Sequence, residues 1–247
     1  MKIILSPAKK MKVCQDMLPY VSLPVFPGQT EQILAWLRDR SAEELKTLWK
    51  CSDRIVQQNL ERLAVMKLDQ NLSPAILSYE GIAYQYMAPS VFESGQLDYV
   101  QEHLRILSAF YGVLKPMDGV TPYRLEMQAK ASIGGYKDLY SFWGERICQE
   151  VRDASGIIIN LASREYSKCV EPYLTPEDTF ITCDFVEPSG GKLVTKGTYA
   201  KMARGEMVRY LAEHSVETPE EIQAFDRLNY RFRKDLSEEK RYVFVRE

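Results

Sequence analysis

Ile157-Ile158-Ile159-Asn160-Leu161 is a continuous apolar run rich in β-branched residues. A run of that kind reads as a strand buried on both faces. Burial on both faces requires layers above and below, so the chain must build an internal sheet covered by helices. A second short apolar stretch, Lys2 to Leu5, stops at Ser6-Pro7 and reads as another buried strand. Further strands are expected at Phe180 to Val186 and Lys192 to Lys196, joined as a hairpin through Pro188-Ser189-Gly190-Gly191, and at Tyr242 to Val245. Because strands run from the first residues to the last, the expectation is one intertwined α/β to α+β domain spanning residues 1–247. It has a central sheet and surrounding helices.

Helices fill the intervals. Thr30 is placed to cap a first helix with Ile33, Leu34 and Leu37 on one face. Ser41 with Glu44 has the form of a capping box for Ala42 to Lys50. Ser52 opens a third helix to about Lys67, and Trp36 and Trp49 read as packing residues. Ala75 to Tyr79 reads as a short strand ending at Glu80-Gly81. Leu97, Val100, Leu104, Leu107 and Tyr111 predict a helix from Gln96 to Tyr111, stopped by Gly112, with His103 and Arg105 off its apolar face. Tyr136 to Trp143 leads into a helix up to about Asp153. Thr198 to His214 reads as a basic helix, and Thr218 caps a short one through Phe225.

Composition removes several function classes. The 247 residues are 45% hydrophobic and carry a net charge of -2, so any basic surface is local. Five cysteines, the closest two being Cys169 and Cys183, make neither a disulfide framework nor a zinc ribbon. Idle thiols in a reducing cytoplasm fit that pattern, with Cys14 the one beside a basic loop. No apolar run approaches membrane-span length, so no membrane role is expected. Two histidines do not support a His-based triad, no metal-ligand spacing is present, and no Walker loop, dinucleotide fingerprint or Gly-x-Ser-x-Gly elbow occurs. No cofactor is expected.

A basic and aromatic set remains. Tyr123-Arg124-Leu125-Glu126-Met127 places opposite charges among apolar neighbours, which suits a site better than a plain core segment. Ser6 to Lys9 and Ala162 to Tyr166 follow strands at their C-terminal ends, where ligands bind in α/β arrangements. From Lys192 to Leu211 five Lys or Arg face one Glu206, a local excess of +4. Lys9, Arg124, Lys201 and Arg204 are candidates to hold phosphate. Ser6, Tyr123, Tyr140 and Trp143 are candidate pocket walls, with Tyr84 a further stacking aromatic. Lys9 as nucleophile or anion holder and Glu126 as acid or base are the candidate catalytic residues. Glu80 reads equally as a site carboxylate or a solvated turn residue. Leu107 to Leu114, with Gly112 at its centre, loosely resembles a helix-hairpin-helix turn, in which backbone N–H groups meet DNA phosphates.

The chain also resembles the bacterial YaaA family of peroxide stress, or peroxide resistance, proteins. The resemblance spans essentially the whole sequence. It is carried by Ser6-Pro7-Ala8-Lys9, His103-Leu104-Arg105-Ile106-Leu107-Ser108, Tyr111 to Pro116, Pro122 to Met127 and Lys137 to Tyr140 with Phe142-Trp143-Gly144. Asn160 to Ser163 with Glu165-Tyr166, and Tyr199-Ala200-Lys201 with Ala203-Arg204-Gly205, complete it. Two departures are mild: Lys10-Met11 stands where a Thr-Leu pair is usual, and Tyr79-Glu80 where a lysine often precedes the glycine. The resemblance implies a cytoplasmic protein that limits peroxide- and iron-dependent damage. It also implies an unusual α/β fold with a positively charged cleft and a helix-hairpin-helix element, and binding to duplex DNA. The competing expectation is an enzyme acting on a nucleotide or damaged nucleobase in the same cleft. Direct iron sequestration is a weaker third, for want of a ligand cluster.

Overall fold

The computed structural model describes residues 1–247. Five parallel strands form its centre: β1 (Lys2–Leu5), β2 (Leu104–Ser108), β4 (Ile157–Leu161), β5 (Thr179–Ser189) and β8 (Arg241–Arg246). Three further strands are antiparallel to their neighbours: β3 (Gly112–Leu114), β6 (Lys192–Val194) and β7 (Tyr230–Phe232). The sheet order is β7-β8-β5-β4-β1-β2-β3, with β6 paired to β5. All four residues of β1 are buried, as are Ile158 to Leu161 of β4, so both apolar runs lie between layers as their composition requires. One hydrophobic cluster of 67 buried residues continues from Met1 to Phe244.

The path through this sheet matters for function. From β1 the chain moves to β2 on one side, then returns to place β4 on the other side of β1. Strand order therefore reverses between β1 and β4. In open α/β sheets such a reversal opens a crevice at the carboxyl ends of the strands. Leu5 pairs with Leu161, so Ser6-Pro7 and Ala162-Ser163 leave the sheet side by side.

The helices with recognisable start signals form close to where the sequence places them. α1 spans Pro27–Arg38, α2 Ala42–Trp49 and α3 Asp53–Val65. Ser41 and Glu44 make the expected capping box. Thr30 does not cap α1: proline at its first position starts the helix earlier, and the Thr30 hydroxyl donates to the Phe26 carbonyl at 2.9 Å. Trp49 is buried and Trp36 half-buried, both as packing residues. The basic helix is present over Gly197–Glu213, Thr218 caps Pro219–Ile222, and the β5–β6 hairpin turns at Gly190 and Gly191.

Three further expectations fail. Ala75–Ser78 is a single helical turn, and only Tyr79–Glu80 is extended, pairing with Lys10–Met11. The segment after Lys137 is two helices, Leu139–Trp143 and Arg146–Val151, broken at Gly144 with φ 53°. The largest correction lies between Gln96 and Leu114. The helix occupies Ser94–His103 and ends there; β2 follows, and Gly112 begins β3. A hairpin of strands therefore stands at Leu107 to Leu114, where the sequence placed a helix-hairpin-helix turn. Leu104, Ile106 and Leu107 satisfy a helical period and a continuous buried strand equally well, and the open position beside β1 decides between them. His103 and Arg105 are buried as a result. The His103 ring stacks on Tyr99, and Arg105 donates to the Leu104 carbonyl at 2.8 Å.

Candidate functional site

At the crevice between β1 and β4 lies a cleft of about 440 Å³. Its floor is made by the two strand ends. Ser6 Oγ accepts the Ser163 backbone N–H at 2.8 Å and lies 3.2 Å from Ser163 Oγ. The Tyr84 hydroxyl donates to the Ser6 carbonyl at 3.1 Å. The loop therefore leaves β1 in one fixed direction, toward Lys9.

Two helices complete one wall. We label Ile82–Met87 and Gly197–Glu213 αA and αB by their role at the cleft. A Cβ on Gly205 would sit 1.9 Å from the Ala83 carbonyl oxygen, so the two backbones touch where glycine alone fits. That approach brings Lys201 and Arg204, nearly one turn apart on αB, to the cleft.

Their surroundings differ from those of the other cations. Lys201 is exposed and Arg204 half-buried. Arg204 Nε is buried with no hydrogen-bond partner. Burial pulls the Arg204 guanidinium below its ordinary pKa, offset in part by Asp184 and Cys183. Asp184 is committed elsewhere, to Arg241 at 2.7 Å. A half-buried guanidinium in a cleft wall with no carboxylate of its own is poised to accept an anion.

On the opposite side a closed ion cluster forms. Lys9 Nζ stands 2.7 Å from Glu126 Oε2, and Arg124 Nη2 3.3 Å from Glu126 Oε1. Arg124 also donates to the Lys9 carbonyl at 3.1 Å. The alternation along Tyr123 to Glu126 sends Arg124 and Glu126 to the same side, where each takes up the other's charge.

Glu165 stands beside this cluster, half-buried in the first turn of Arg164–Ser167. Its Oε1 accepts the Gln128 N–H at 3.2 Å, and no side chain pairs with it. Burial raises its pKa above the usual carboxylate value, Glu126 adds to the rise, and backbone amides and Lys9 oppose it.

Seven of the residues singled out from sequence thus share one cleft: Ser6, Lys9, Tyr123, Arg124, Glu126, Lys201 and Arg204. Glu80 also lines it, at the rim, 3.8 Å from Lys10. Tyr84 lines it with a buried ring. Tyr123 contributes a buried wall whose hydroxyl is held by Ser108 at 2.8 Å and Tyr79 at 3.0 Å, and burial pushes its phenol up to about 12.

Three candidates lie outside. Trp143 is fully buried and donates its indole N–H to the Ala109 carbonyl at 3.0 Å. Tyr140 is not part of the wall; its hydroxyl donates to the Glu165 carbonyl at 2.9 Å and braces that turn. Gly112 has φ +78°, and a Cβ there would meet the Trp143 ring at 2.8 Å. It is a core glycine of the β2–β3 hairpin, too enclosed for its backbone to meet a phosphate. The aromatic run Tyr140 to Trp143 suggested a pocket because sequence does not reveal which side of a short helix faces the core.

Ser163, Glu165 and Tyr166 complete the cleft without having been singled out individually. Their signal was positional: they follow the strongest strand at its carboxyl end. No group of three or more His, Cys, Asp or Glu is arranged to hold a metal ion. All five cysteines are free, with Cys148, Cys169 and Cys183 buried, and burial pushes the Cys183 thiol up to about 12. No helix is long and apolar enough to cross a membrane.

Comparison with known proteins accounts for the whole chain. Residues 1–236 match the family described as Peroxide stress protein YaaA. A UPF0246 protein of Agathobacter rectalis is 63% identical over 246 residues, covering 100% of this chain and 99% of the relative. A UPF0246 protein of Lachnoclostridium phytofermentans is 54% identical, covering 100% and 96%. One from Lactiplantibacillus plantarum is 50% identical over 245 residues, covering 99% of each.

Proposed function

The chain belongs to the YaaA family of peroxide stress proteins, and on that premise we propose that it serves the peroxide stress response by binding duplex DNA at the cleft. One nucleotide unit enters between the strand ends and αB. The observation that carries this reading is the half-buried Arg204 guanidinium, its Nε without a partner and no carboxylate paired to it, beside Lys201. It meets the inner phosphate, while Lys9, Lys10 and Lys201 at the rim meet the flanking backbone. Lys9 and Lys10 side chains are 66% and 81% exposed, enough to reach a polyanion passing across the mouth. Binding of this kind is dominated by counterion release and positions the duplex without reading it.

A second reading has its own support. The cleft lies within the size range of small-ligand sites, and it contains carboxyl groups that a bare phosphate groove does not need. A free nucleotide or a damaged base is then the ligand, with Lys9, Glu126 or Glu165 available for proton transfer.

Fluorescence anisotropy with a short labelled duplex over a salt series separates the two. On the DNA reading affinity falls by powers of ten between roughly 50 and 200 mM salt. Lys201→Ala/Arg204→Ala weakens it at least tenfold, with an unchanged circular dichroism spectrum. Binding to the duplex that ignores both salt and the double substitution would sink the DNA reading. Competition by a mononucleotide but not by duplex would favour the second.

A further inference from the structure

The cleft contains three carboxylates, and they are not equivalent. Both oxygens of Glu126 are occupied, one by Lys9 at 2.7 Å and the other by Arg124 at 3.3 Å. Glu80 sits at the rim, 40% exposed and 3.8 Å from Lys10. Glu165 alone is half-buried in the wall without a cationic partner, steadied by the Gln128 amide at 3.2 Å and by the neighbouring Met127 amide. A carboxylate has about four acceptor positions, so about two on Glu165 are left for a ligand.

The two half-buried charged groups of the cleft that form no ion pair, Glu165 and Arg204, have opposite signs and separate surroundings. Glu165 is influenced by Glu126 and Lys9; Arg204 is influenced by Asp184 and Cys183. A ligand that satisfies both must carry an anion at one end and hydrogen-bond donors at the other. Given the nucleotide reading, on which this step rests, the anion is the phosphate and the donors belong to the base.

We propose that Glu165 selects the base, accepting hydrogen bonds from an edge with adjacent N–H donors, so that the cleft prefers a guanine nucleotide. Guanine presents N1–H and the 2-amino group side by side. Adenine and cytosine place an acceptor next to their amino group, and thymine flanks its single N–H with two carbonyls. Each of those three turns lone pairs toward the carboxylate, which is repulsive. The preference applies equally to a free nucleotide and to a base turned out of a duplex.

The test is equilibrium binding of dGMP, dAMP, dCMP and dTMP to the full chain, by calorimetry at one salt concentration. The parent protein is expected to bind dGMP at least about tenfold more tightly than the other three. Glu165→Gln replaces one acceptor with a donor and should lower dGMP affinity to the level of the rest. Deoxyinosine monophosphate, which lacks the 2-amino group, provides a test that requires no variant: the parent should bind it several-fold more weakly than dGMP. Lys201→Ala/Arg204→Ala should weaken all nucleotides alike. Equal affinity for the four bases in the parent, or a guanine preference that survives Glu165→Gln, would overturn the role of Glu165 while leaving the phosphate site standing. Failure of every mononucleotide to bind while duplex DNA still binds would also overturn it. Failure of duplex and mononucleotides alike would remove the proposed function itself.

Discussion

On one side of the cleft, Lys9, Arg124 and Glu126 form a cluster in which each charge meets an opposite one within 3.3 Å. On the other, Lys201 and Arg204 project from αB with no carboxylate committed to them; Nε is buried without a partner in both Arg124 and Arg204, so the missing counter-charge is what sets Arg204 apart. Both groups come from similar sequence: basic residues among apolar and aromatic neighbours. Their roles separate only in three dimensions. A closed cluster holds the Tyr123–Met127 segment to the β1 loop. An open one leaves a cost unmet in the free protein, which an anion would relieve.

The contrast predicts that the cleft-facing part of αB is held in place by packing against αA, its ion pairs to Arg227 coming from Glu206 and Glu213 further along the helix. Gly205→Ala places a methyl against the Ala83 carbonyl, at a separation no flexible side chain can relieve. We expect a loss of about 3 kcal/mol or more, with loss of the anion site. A thermal melt is the check, with Tm expected to fall by roughly 6–12 °C. An unchanged Tm would mean that αB and αA are not seated as described.

Breaking the closed cluster should come next in size. Glu126→Gln leaves the Arg124 guanidinium, with only 11% of its side chain exposed, without its counter-charge. A cost of about 2 kcal/mol is expected, below the figure for fully buried pairs because Glu126 is partly solvated. Denaturant unfolding measures it; a loss below about 0.5 kcal/mol would show that the cluster does not secure the segment.

Arg204→Met should have the opposite sign. Removing a desolvated charge without a partner is expected to leave stability unchanged or raise it by about 1 kcal/mol, while phosphate binding drops at least tenfold. Marked destabilisation would place Arg204 among the structural residues and close the comparison.

Much of this was legible beforehand, and for identifiable reasons. Ile157–Leu161 stood out because continuous β-branched burial has few alternatives. Ser6, Lys9, Arg124, Glu126, Lys201 and Arg204 stood out because polar residues at strand ends or inside apolar segments need a partner or a ligand. Leu104–Ser108 was illegible because its apolar spacing fits helix and buried strand alike, and only the vacancy beside β1 settles it. Gly112 and Trp143 misled together: the glycine suggested a hairpin and the indole a pocket wall, yet they pack against each other in the core. Sequence also does not reveal which charges will find partners, since the Lys9–Glu126 and Arg241–Asp184 pairs bridge distant parts of the chain.

Within the closed cluster the two cations should contribute unequally. Lys9 is 66% exposed, so its pair with Glu126 is largely screened. A double-mutant cycle between Lys9→Ala and Glu126→Gln is expected to return a coupling of about 0.5 kcal/mol, falling further at high salt. Coupling above about 2 kcal/mol would show that the loop closes over the pair and excludes water.

The smallest expected effect concerns Glu165, and its sign separates the free protein from the liganded one. Burial, reinforced by Glu126, raises its folded pKa above the ordinary value of about 4.3, against the opposing amides and Lys9. The folded state therefore holds this proton more firmly than the unfolded chain does. That contribution is fully present below the unfolded pKa and is lost as pH rises through the folded one. Stability measured against Glu165→Gln should accordingly decline across that acidic window in the free protein. A ligand offering N–H donors favours the ionised form, so with dGMP bound the same comparison should flatten or reverse. Ionisation of Glu165 can be followed directly by the pH dependence of its carboxyl NMR shift, with and without nucleotide. If nucleotide leaves that titration where it was, Glu165 does not face the base, and the open side of the cleft is limited to phosphate.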